Sequence, residues 1–262
     1  MCLEVESFMY LEELFGLKGK VAVVTGGGRG IGQTVSIGLA KAGAEIVILC
    51  RSGAEETVKM IEDEGGKAYW IATDVTKEES VDAAFSEILN RSGAVNIVIN
   101  NSGICMHQST LEATVAEFRE VIDVNLTGQF IVARAAGKVM IDRGIRGSII
   151  NVASMSGSIV NVPQIQCSYN ASKAAVIHMT KSLAAEWAQY QIRVNSLSPG
   201  YVATTMSMDT SQELKDTWMK LVPMHRMANP EELMPAVLYL ACDASGYTSG
   251  SDVIVDGAYT CL

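Results

Sequence analysis

Thr25-Gly26-Gly27-Gly28-Arg29-Gly30-Ile31-Gly32 is the stretch that decides the fold. It follows the apolar run 20–25 and leads into residues 31–42, which have a helical period. Glycines at such a junction permit a tight turn and a close approach of the backbone to a phosphate, and the next helix offers free N–H groups. A purely structural strand–helix turn is the alternative interpretation. We predict a dinucleotide-binding loop, with cofactor contacts from Gly26, Arg29, Gly30, Ile31 and Gly32.

Apolar runs of strand length alternate with longer segments of helical period along the whole chain. These runs span residues 20–25, 45–50, 67–73, 96–100, 148–153, 193–197 and 252–255. The alternation predicts an α/β protein of the Rossmann type, a doubly wound parallel sheet of about seven strands with helices on both faces. No linker or change of composition divides it, so we assign residues 17–262 to one dinucleotide-binding domain and residues 1–16 to an N-terminal extension.

Composition and charge narrow the classes of function. The 262 residues are 48% hydrophobic and carry a formal net charge of -9, which disfavours binding to nucleic acid or to anionic lipid. Residues 1–19 lack the pattern of a signal peptide or a membrane anchor. The six cysteines and three histidines have no metal-ligand spacing. We expect a cytoplasmic protein without a metal site that acts on a small molecule and binds neither nucleic acid nor membrane.

The glycine loop has the spacing T-G-x-x-x-G-x-G, which resembles the short-chain dehydrogenase/reductase family more than the G-x-G-x-x-G of other dehydrogenases. Further motifs of that family follow in order over residues 17–258. They are Asp74-Val75, Asn100-Asn101-Ser102-Gly103, Asn125, Ser154, Tyr169-Asn170-Ala171-Ser172-Lys173, Pro199-Gly200 and Thr204. The resemblance implies an enzyme that moves a hydride between a nicotinamide ring and a carbonyl or secondary alcohol.

The resemblance also implies cofactor contacts from residues that follow several strands. In chain order they are Asp74, Val75, Asn101, Pro199, Gly200, Val202 and Thr204. Asp74 and Val75 are expected at the adenine, Asn101 on the adenosine side, and Val202 and Thr204 at the nicotinamide carboxamide. Asp74 as an N-cap and Val202 as plain core packing are the alternatives.

The end of the second apolar run bears on the choice between NADP and NAD. Enzymes that use NAD place an acid there, which bonds the ribose hydroxyls and would repel a 2′-phosphate. This chain has Cys50 at that position and Arg51 next to it. Arg51 and Arg29 can pair with a phosphate, although both could be solvated surface arginines. We predict NADP as the cofactor, with NAD less favoured.

Four residues form the predicted catalytic set. Tyr169 and Lys173 are four residues apart in a helix-compatible run and so share one helical face. An adjacent ammonium favours the phenolate and would make Tyr169 a usable acid and base, with both residues also contacting the cofactor. Ser154 ends an apolar run, where its hydroxyl can bond the substrate oxygen. Asn125 is a poor helix former in a helical segment, and the resemblance explains it by a local kink and a water-mediated proton relay to Lys173.

The interval between Ser154 and Tyr169 is longer than in most members of the family. Together with the C-terminal run 256–261, it resembles the polyol dehydrogenase and ketose reductase branch. A polyol needs several bonded hydroxyls, and Ser156 and Gln164 are the substrate-binding candidates, with Asn161 and His107 as further polar residues near the expected pocket.

Two other functions remain open. A 3-oxoacyl carrier-protein reductase shares every catalytic residue, but Ile145 and Tyr190 occupy places where such enzymes tend to carry docking arginines. A non-catalytic NADP-binding sensor or scaffold is the alternative from a different class. For assembly we predict a homotetramer, because the helical segment 168–189 has small and apolar residues on more than one face and relatives pair such helices between subunits.

Overall fold

Seven parallel strands form a single sheet in the computed structural model, which describes residues 10–262. The strands are β1 (Val21–Thr25), β2 (Glu45–Cys50), β3 (Ala68–Ala72), β4 (Ile97–Asn100), β5 (Ser148–Val152), β6 (Arg193–Pro199) and β7 (Asp252–Val255). Their order in the sheet is β3-β2-β1-β4-β5-β6-β7, and every neighbouring pair is parallel. The predicted doubly wound architecture is confirmed.

Helices connect the strands and cover both faces. They are α1 (Gly30–Lys41), α2 (Glu55–Asp63), α3 (Glu78–Ser92), α4 (Val115–Ile122), α5 (Gly128–Asp142), α6 (Cys167–Trp187), α7 (Thr205–Met208), α8 (Gln212–Leu221) and α9 (Met234–Ala241). A π-helical turn, Asp123–Thr127, joins α4 to α5.

Two apolar clusters fill the space between the sheet and its helices. The side chains of each strand alternate between them: Val23 of β1 belongs to the cluster under α3, α5 and α6, whereas Val24 belongs to the cluster under α1 and α9. The interior strands are therefore rich in valine and isoleucine on both faces, as a parallel sheet buried on both sides requires.

The direction of chain progression through the sheet reverses between β1 and β4. Ligands of open α/β sheets bind at the carboxyl ends of the strands beside such a switch point. The loops after β1, β4 and β5, which carry most of the motifs described above, lie at this edge.

The N-terminal side of the domain is described only in part. Residues 10–15 are helical, and Leu17 is buried, with its backbone N–H donating to Ala42 O at 2.7 Å. Residues 1–9 of the predicted extension, including Cys2, lie outside the described residues, and the boundary at residue 17 stays a prediction.

Candidate active site

The glycine loop between β1 and α1 has the backbone shape that a phosphate cradle needs. Gly26 and Gly30 have φ angles of 66° and 55°, in the left-handed region that side chains disfavour. Gly28 lies so close to the loop after β2 that a Cβ built on it would be 2.8 Å from the carbonyl oxygen of Gly53. A side chain at these positions would strain the backbone or fill the space between the two loops. The glycine loop therefore fits a pyrophosphate held at the start of α1, whose second residue is Ile31.

Asn101 supports this loop from the end of β4. Its Nδ2 donates to the carbonyl oxygens of Thr25 and Gly26 at 3.0 and 3.3 Å, and its backbone N–H donates to Thr25 Oγ1 at 2.9 Å. A Cβ on Gly32 would lie 2.6 Å from the same Nδ2. The structure therefore uses the Asn101 amide to fix the glycine loop, a role that the sequence did not suggest.

The loop after β6 reaches across to the glycine loop. A Cβ built on Gly30 would lie 3.6 Å from Cγ2 of Thr204, so a residue expected at the pyrophosphate neighbours one expected at the nicotinamide. Thr204 caps the short helix α7. Val202 is buried in the core and bridges to Ala228, which agrees with the packing alternative for that side chain.

Pro199 and Gly200 bring the chain from β6 into that loop. Pro199 is the last residue of the strand, and Gly200 donates its N–H to Val255 O at 2.9 Å. A Cβ on Gly200 would lie 2.6 Å from the Asp256 Cα, so no larger residue fits between the ends of β6 and β7.

Asp74 and Val75 lie in the segment that follows β3. Burial opposes ionisation of Asp74, but hydrogen bonds from the N–H and Oγ1 of Thr76, at 3.0 and 2.8 Å, together with the charges of Arg51 and Lys77, lower the pKa of its carboxyl. The carboxylate thus closes a turn as well as lying near Arg51. Val75 is buried and packs against the start of α5.

The predicted phosphate-selecting residues lie at the end of β2 and at the start of α1. Burial raises the pKa of the Cys50 thiol, so this position carries no negative charge near neutral pH. Arg29 and Arg51 are exposed, and within residues 10–262 neither forms a salt bridge. Glu55, which the sequence did not single out, also acts on Cys50 through its charge.

Tyr169 and Lys173 lie one turn apart on α6, as their spacing predicted. The Nζ of Lys173 is 5.6 Å from the centroid of the Tyr169 ring and donates to Val152 O at 2.8 Å. Burial raises the pKa of Tyr169 to about 12, with a contribution from Cys105 and an opposing one from the Ser154 side chain. Burial lowers the pKa of Lys173 to about 8.

The direction of the Tyr169 pKa shift differs from the one that we expected from the sequence. We expected the Lys173 ammonium to favour the phenolate, whereas burial of Tyr169 favours the neutral phenol. Near neutral pH Tyr169 is therefore protonated, and it lies beside a lysine that releases its proton more easily than usual.

Ser154 follows β5 and faces the same space. It is buried, and its Oγ accepts a hydrogen bond from the N–H of Ser156 at 3.1 Å, which leaves its own proton available for another acceptor. Because its side chain interacts with that of Tyr169, the structure brings the predicted serine, tyrosine and lysine together.

Asn125 lies in the π-helical turn, where the sequence predicted an irregular helix. Its Oδ1 accepts from Ile104 N–H at 2.8 Å, while its Nδ2 donates to Ile104 O and Ser172 Oγ at 2.9 and 3.0 Å. A Cβ built on Gly103 would lie 3.3 Å from the Asn125 oxygen and 3.5 Å from the Lys173 nitrogen. Only a glycine keeps the space between the two groups open.

The predicted substrate residues lie in a hydrogen-bonded cluster next to Ser154. Ser156 is buried, and its Oγ donates to Asn161 Oδ1 at 2.5 Å. Gln164 is partly exposed, and its Oε1 accepts a hydrogen bond from the Tyr201 hydroxyl at 2.5 Å. His107 is exposed, and its ring lies 3.9 Å from Cys105 Sγ.

Sequence reasoning missed Gln166 and Cys105. Gln166 is buried, and its Nε2 donates to Asn170 Oδ1 at 2.9 Å. Its place directly before the helix that carries Tyr169 is the signal that could have found it. The Cys105 Sγ lies 3.6 Å from Gln166 Oε1, and burial raises the pKa of its thiol to about 11, against the opposing charge of Lys173.

Within residues 10–262, no group of three or more histidines, cysteines, aspartates or glutamates is arranged to hold a metal ion. In the same part of the chain, each helix is too short or too polar to cross a membrane.

Comparisons with known proteins find relatives along nearly the whole chain. Residues 26–260 match a family model described as enoyl-(acyl carrier protein) reductase. The chain is 40% identical to a sorbose reductase of Candida albicans, over 95% of this chain and 90% of the relative. It is 42% identical to an NADP-dependent mannitol dehydrogenase of Alternaria alternata, over 95% of each. A crystal structure of a short-chain type dehydrogenase/reductase from Mycobacterium marinum superimposes with a TM-score of 0.93 at 42% identity, covering 95% of this chain and 99% of that one.

Proposed function

The chain belongs to the short-chain dehydrogenase/reductase family, in its polyol dehydrogenase branch, and is an oxidoreductase of CH–OH groups; from that premise we propose that it uses NADP(H) to interconvert a polyol and a ketose. The observation that carries the proposal is the convergence of Ser154, Tyr169 and Lys173 next to the segment after β4 that also bonds the glycine loop. Such a convergence at the carboxyl ends of the strands supports a reacting carbonyl held next to a nicotinamide.

The cofactor is proposed to lie along the carboxyl edge of β1, β2, β3 and β6. Gly26, Gly30 and the start of α1 would hold the pyrophosphate, and the loop 199–204 would hold the nicotinamide end. Support for NADP comes from the uncharged Cys50 and the two arginines without a salt bridge in residues 10–262. Arg29 and Arg51 would pair with a 2′-phosphate, which an acid at position 50 would repel.

In our mechanism for reduction, the bound NADPH supplies the hydride, and the protein supplies position and a proton. The Ser154 hydroxyl donates a hydrogen bond to the substrate oxygen, while its own oxygen accepts from Ser156 N–H. Tyr169 donates a second hydrogen bond and then transfers its proton to that oxygen as negative charge develops there. Its raised pKa keeps the phenol protonated before the step.

Lys173 is proposed to restore the proton and to orient the nicotinamide ribose. Its lowered pKa, about 8, makes proton release near neutral pH easier than for an exposed lysine. The space next to Gly103 separates its Nζ from Asn125 Oδ1, and a water held there would carry the proton on. Oxidation of the alcohol is the reverse sequence.

A polyol or ketose is favoured by the polar groups beside Ser154. Ser156 and Gln164 are the proposed substrate residues, and both already bond other side chains in a cluster that could pair with hydroxyls. An acyl thioester offers fewer hydroxyls that can pair with this cluster than a ketose does.

The test is a panel of substrates followed by the absorbance of NADPH. It contains fructose, sorbose, xylulose and ribulose, small diketones and acetoacetyl thioesters. We expect reduction of at least one ketose, and reversal with the matching polyol at alkaline pH. Turnover of the thioester alone would replace the proposal with a carrier-protein reductase. NADPH binding without turnover on any compound would indicate a sensor or scaffold.

We also propose a cytoplasmic homotetramer. The outer side of α6 carries Ala171 and Ala174, both exposed, and Phe118 of α4 lines the same shallow surface cavity as Cys167. Small and apolar groups on an outer face favour packing against a second copy.

The proposed cytoplasmic location is supported by the free thiols of Cys50, Cys105, Cys167, Cys242 and Cys261, which suit a reducing compartment. Cell fractionation tests this location.

A further inference from the structure

Five side chains close a ring of hydrogen bonds next to the reacting groups. We call Ser156, Asn161, Gln164, Gln166 and Tyr201 the polar ring. Four of them come from the segment between Ser154 and Tyr169, and Tyr201 follows β6. The donors follow one another in a single direction around it.

The links of the ring differ in length. Gln166 Nε2 donates to Ser156 Oγ at 3.2 Å, and Ser156 Oγ donates to Asn161 Oδ1 at 2.5 Å. Asn161 Nδ2 donates to the Tyr201 hydroxyl at 3.5 Å, which in turn donates to Gln164 Oε1 at 2.5 Å. Gln164 Nε2 closes the ring on Gln166 Oε1 at 3.3 Å. The link between Asn161 and Tyr201 is the longest and therefore the weakest.

The ring is anchored on one side and accessible on the other. Ser156, Asn161 and Gln166 are buried, whereas Gln164 and Tyr201 are partly exposed. The ring of Tyr201 is itself fixed, because it stacks on Trp218 with centroids 4.4 Å apart and meets Tyr259 edge-on at 5.6 Å. The two exposed members thus present polar atoms from rigid positions.

The ring also borders the proton-transfer site. The N–H of Ser156 donates to Ser154 Oγ at 3.1 Å, and Gln166 Nε2 donates to Asn170, the neighbour of Tyr169, at 2.9 Å. A substrate whose oxygen bonds Ser154 and Tyr169 would therefore extend along this ring.

A buried hydrogen-bond donor lies within the aromatic stack. The Trp218 side chain is 3% exposed, and within the described residues its Nε1 has no hydrogen-bond partner. An unpaired buried N–H costs free energy unless something accepts from it. The Nε1 of Trp218 can therefore donate to one further acceptor.

We propose that the polar ring is the surface that recognises the hydroxyls of the substrate, and that Tyr201 and Gln164 are the residues that determine specificity for polyhydroxylated ketones. This rests on the proposed function. A hydroxyl both donates and accepts, so it can enter the weak link between Asn161 and Tyr201 and leave every group paired. A carbonyl compound without neighbouring hydroxyls cannot do so.

The experiment compares Tyr201→Phe with the wild type. The substitution keeps the stack on Trp218 and removes only the hydroxyl that bonds Asn161 and Gln164. The kcat/KM for the best ketose is measured against that for a small diketone, both at saturating NADPH. We expect the ratio of ketose to diketone to fall about tenfold, with a similar fall in Gln164→Leu. Calorimetric titration of the matching polyol into the NADP-loaded protein should show a parallel loss of affinity.

Tyr239→Phe is the matched control. Tyr239 is an exposed tyrosine whose hydroxyl pairs with Thr248 at 2.7 Å, and its loss should leave the ratio unchanged. If the ratio in Tyr201→Phe is unchanged, whether both kcat/KM values stay the same or fall equally, the specificity assignment is overturned and the proposed function still stands. A wild-type protein that reduces no ketose would overturn both.

Discussion

The Nζ of Lys173 lies 5.6 Å from the centroid of the Tyr169 ring, one turn along the same helix, and bonds the last carbonyl of β5. The lysine is thus tied to the sheet as well as to the helix, and its side chain is buried. The opposite pKa shifts of the two groups have one cause, since burial disfavours the charged form of each.

Tyr169→Phe should abolish most turnover with little effect on NADPH binding. The change removes the transferable proton and leaves the ring in place, so kcat should fall by about 10²- to 10⁴-fold. Steady-state rates and NADPH fluorescence titrations measure the two effects, and Tyr239→Phe serves as the control. A kcat close to that of the wild type would show that another group is the acid.

The rate of ketone reduction should fall above about pH 8. Lys173 carries its proton below its pKa of about 8 and loses it above, whereas Tyr169, with a pKa of about 12, stays protonated over the same range. The measurement is kcat/KM for reduction from pH 6 to pH 10. A profile that stays flat to pH 10 would contradict the relay role of Lys173.

Deprotonation of Lys173 does not lower the rate by unfolding the protein. The pKa of Lys173 is lowered from 10.5 to about 8 in the folded protein, so between these values the unfolded chain binds more protons. The contribution of Lys173 to the free energy of unfolding therefore rises with pH across this window. Thermal melts at each pH provide the check.

Arg51→Ala should weaken NADPH more than NADH. Loss of one guanidinium from a phosphate site should raise the Kd for NADPH about tenfold, which is about 1.4 kcal/mol, and leave NADH nearly unaffected. Cys50→Asp should shift the preference towards NADH, because a carboxylate bonds the ribose hydroxyls and repels the 2′-phosphate. Equal losses for the two cofactors in Arg51→Ala would refute the phosphate assignment.

Gly28→Ala should damage cofactor binding more than folding. The new methyl group would lie 2.8 Å from the carbonyl oxygen of Gly53, so the glycine loop and the β2–α2 loop must move apart where the cofactor is expected. We expect the Kd for NADPH to rise about tenfold or more, with a small change in Tm. Gly246→Ala, where the nearest atom would be 3.2 Å away, is the control. An unchanged Kd would remove this groove from the cofactor site.

Light scattering at micromolar concentration should give the mass of a tetramer. Ala174→Arg, on the exposed side of α6, should reduce that mass, because a long charged side chain replaces a small one in the proposed contact. Ser86→Arg, on the exposed side of α3, is the matched substitution and should not. A monomer mass for the wild type would end this proposal.

The sequence predicted the parts of the site that depend on local order along the chain. The strands, the glycine loop and the Tyr169–Lys173 pair follow from periodicity and spacing, because neighbours in sequence fix their geometry. The polar ring does not, because its bond between Gln164 and Tyr201 joins residues far apart in the chain. The direction of the Tyr169 pKa shift also depends on how deeply α6 packs, which spacing does not report.

The π-helical turn Asp123–Thr127 also fixes the rotational phase of α5. Each residue of an α-helix advances by about 100°, and a π turn inserts one residue, so α5 is rotated by about that angle from a straight continuation of α4. The side of α5 that meets the sheet, which includes Val132 and Ala136, faces inwards because of this offset. Deleting one residue from the turn would swing that side away from the core, even if an asparagine were kept near position 125. The number of residues in this turn is therefore constrained, and not only the identity of residue 125.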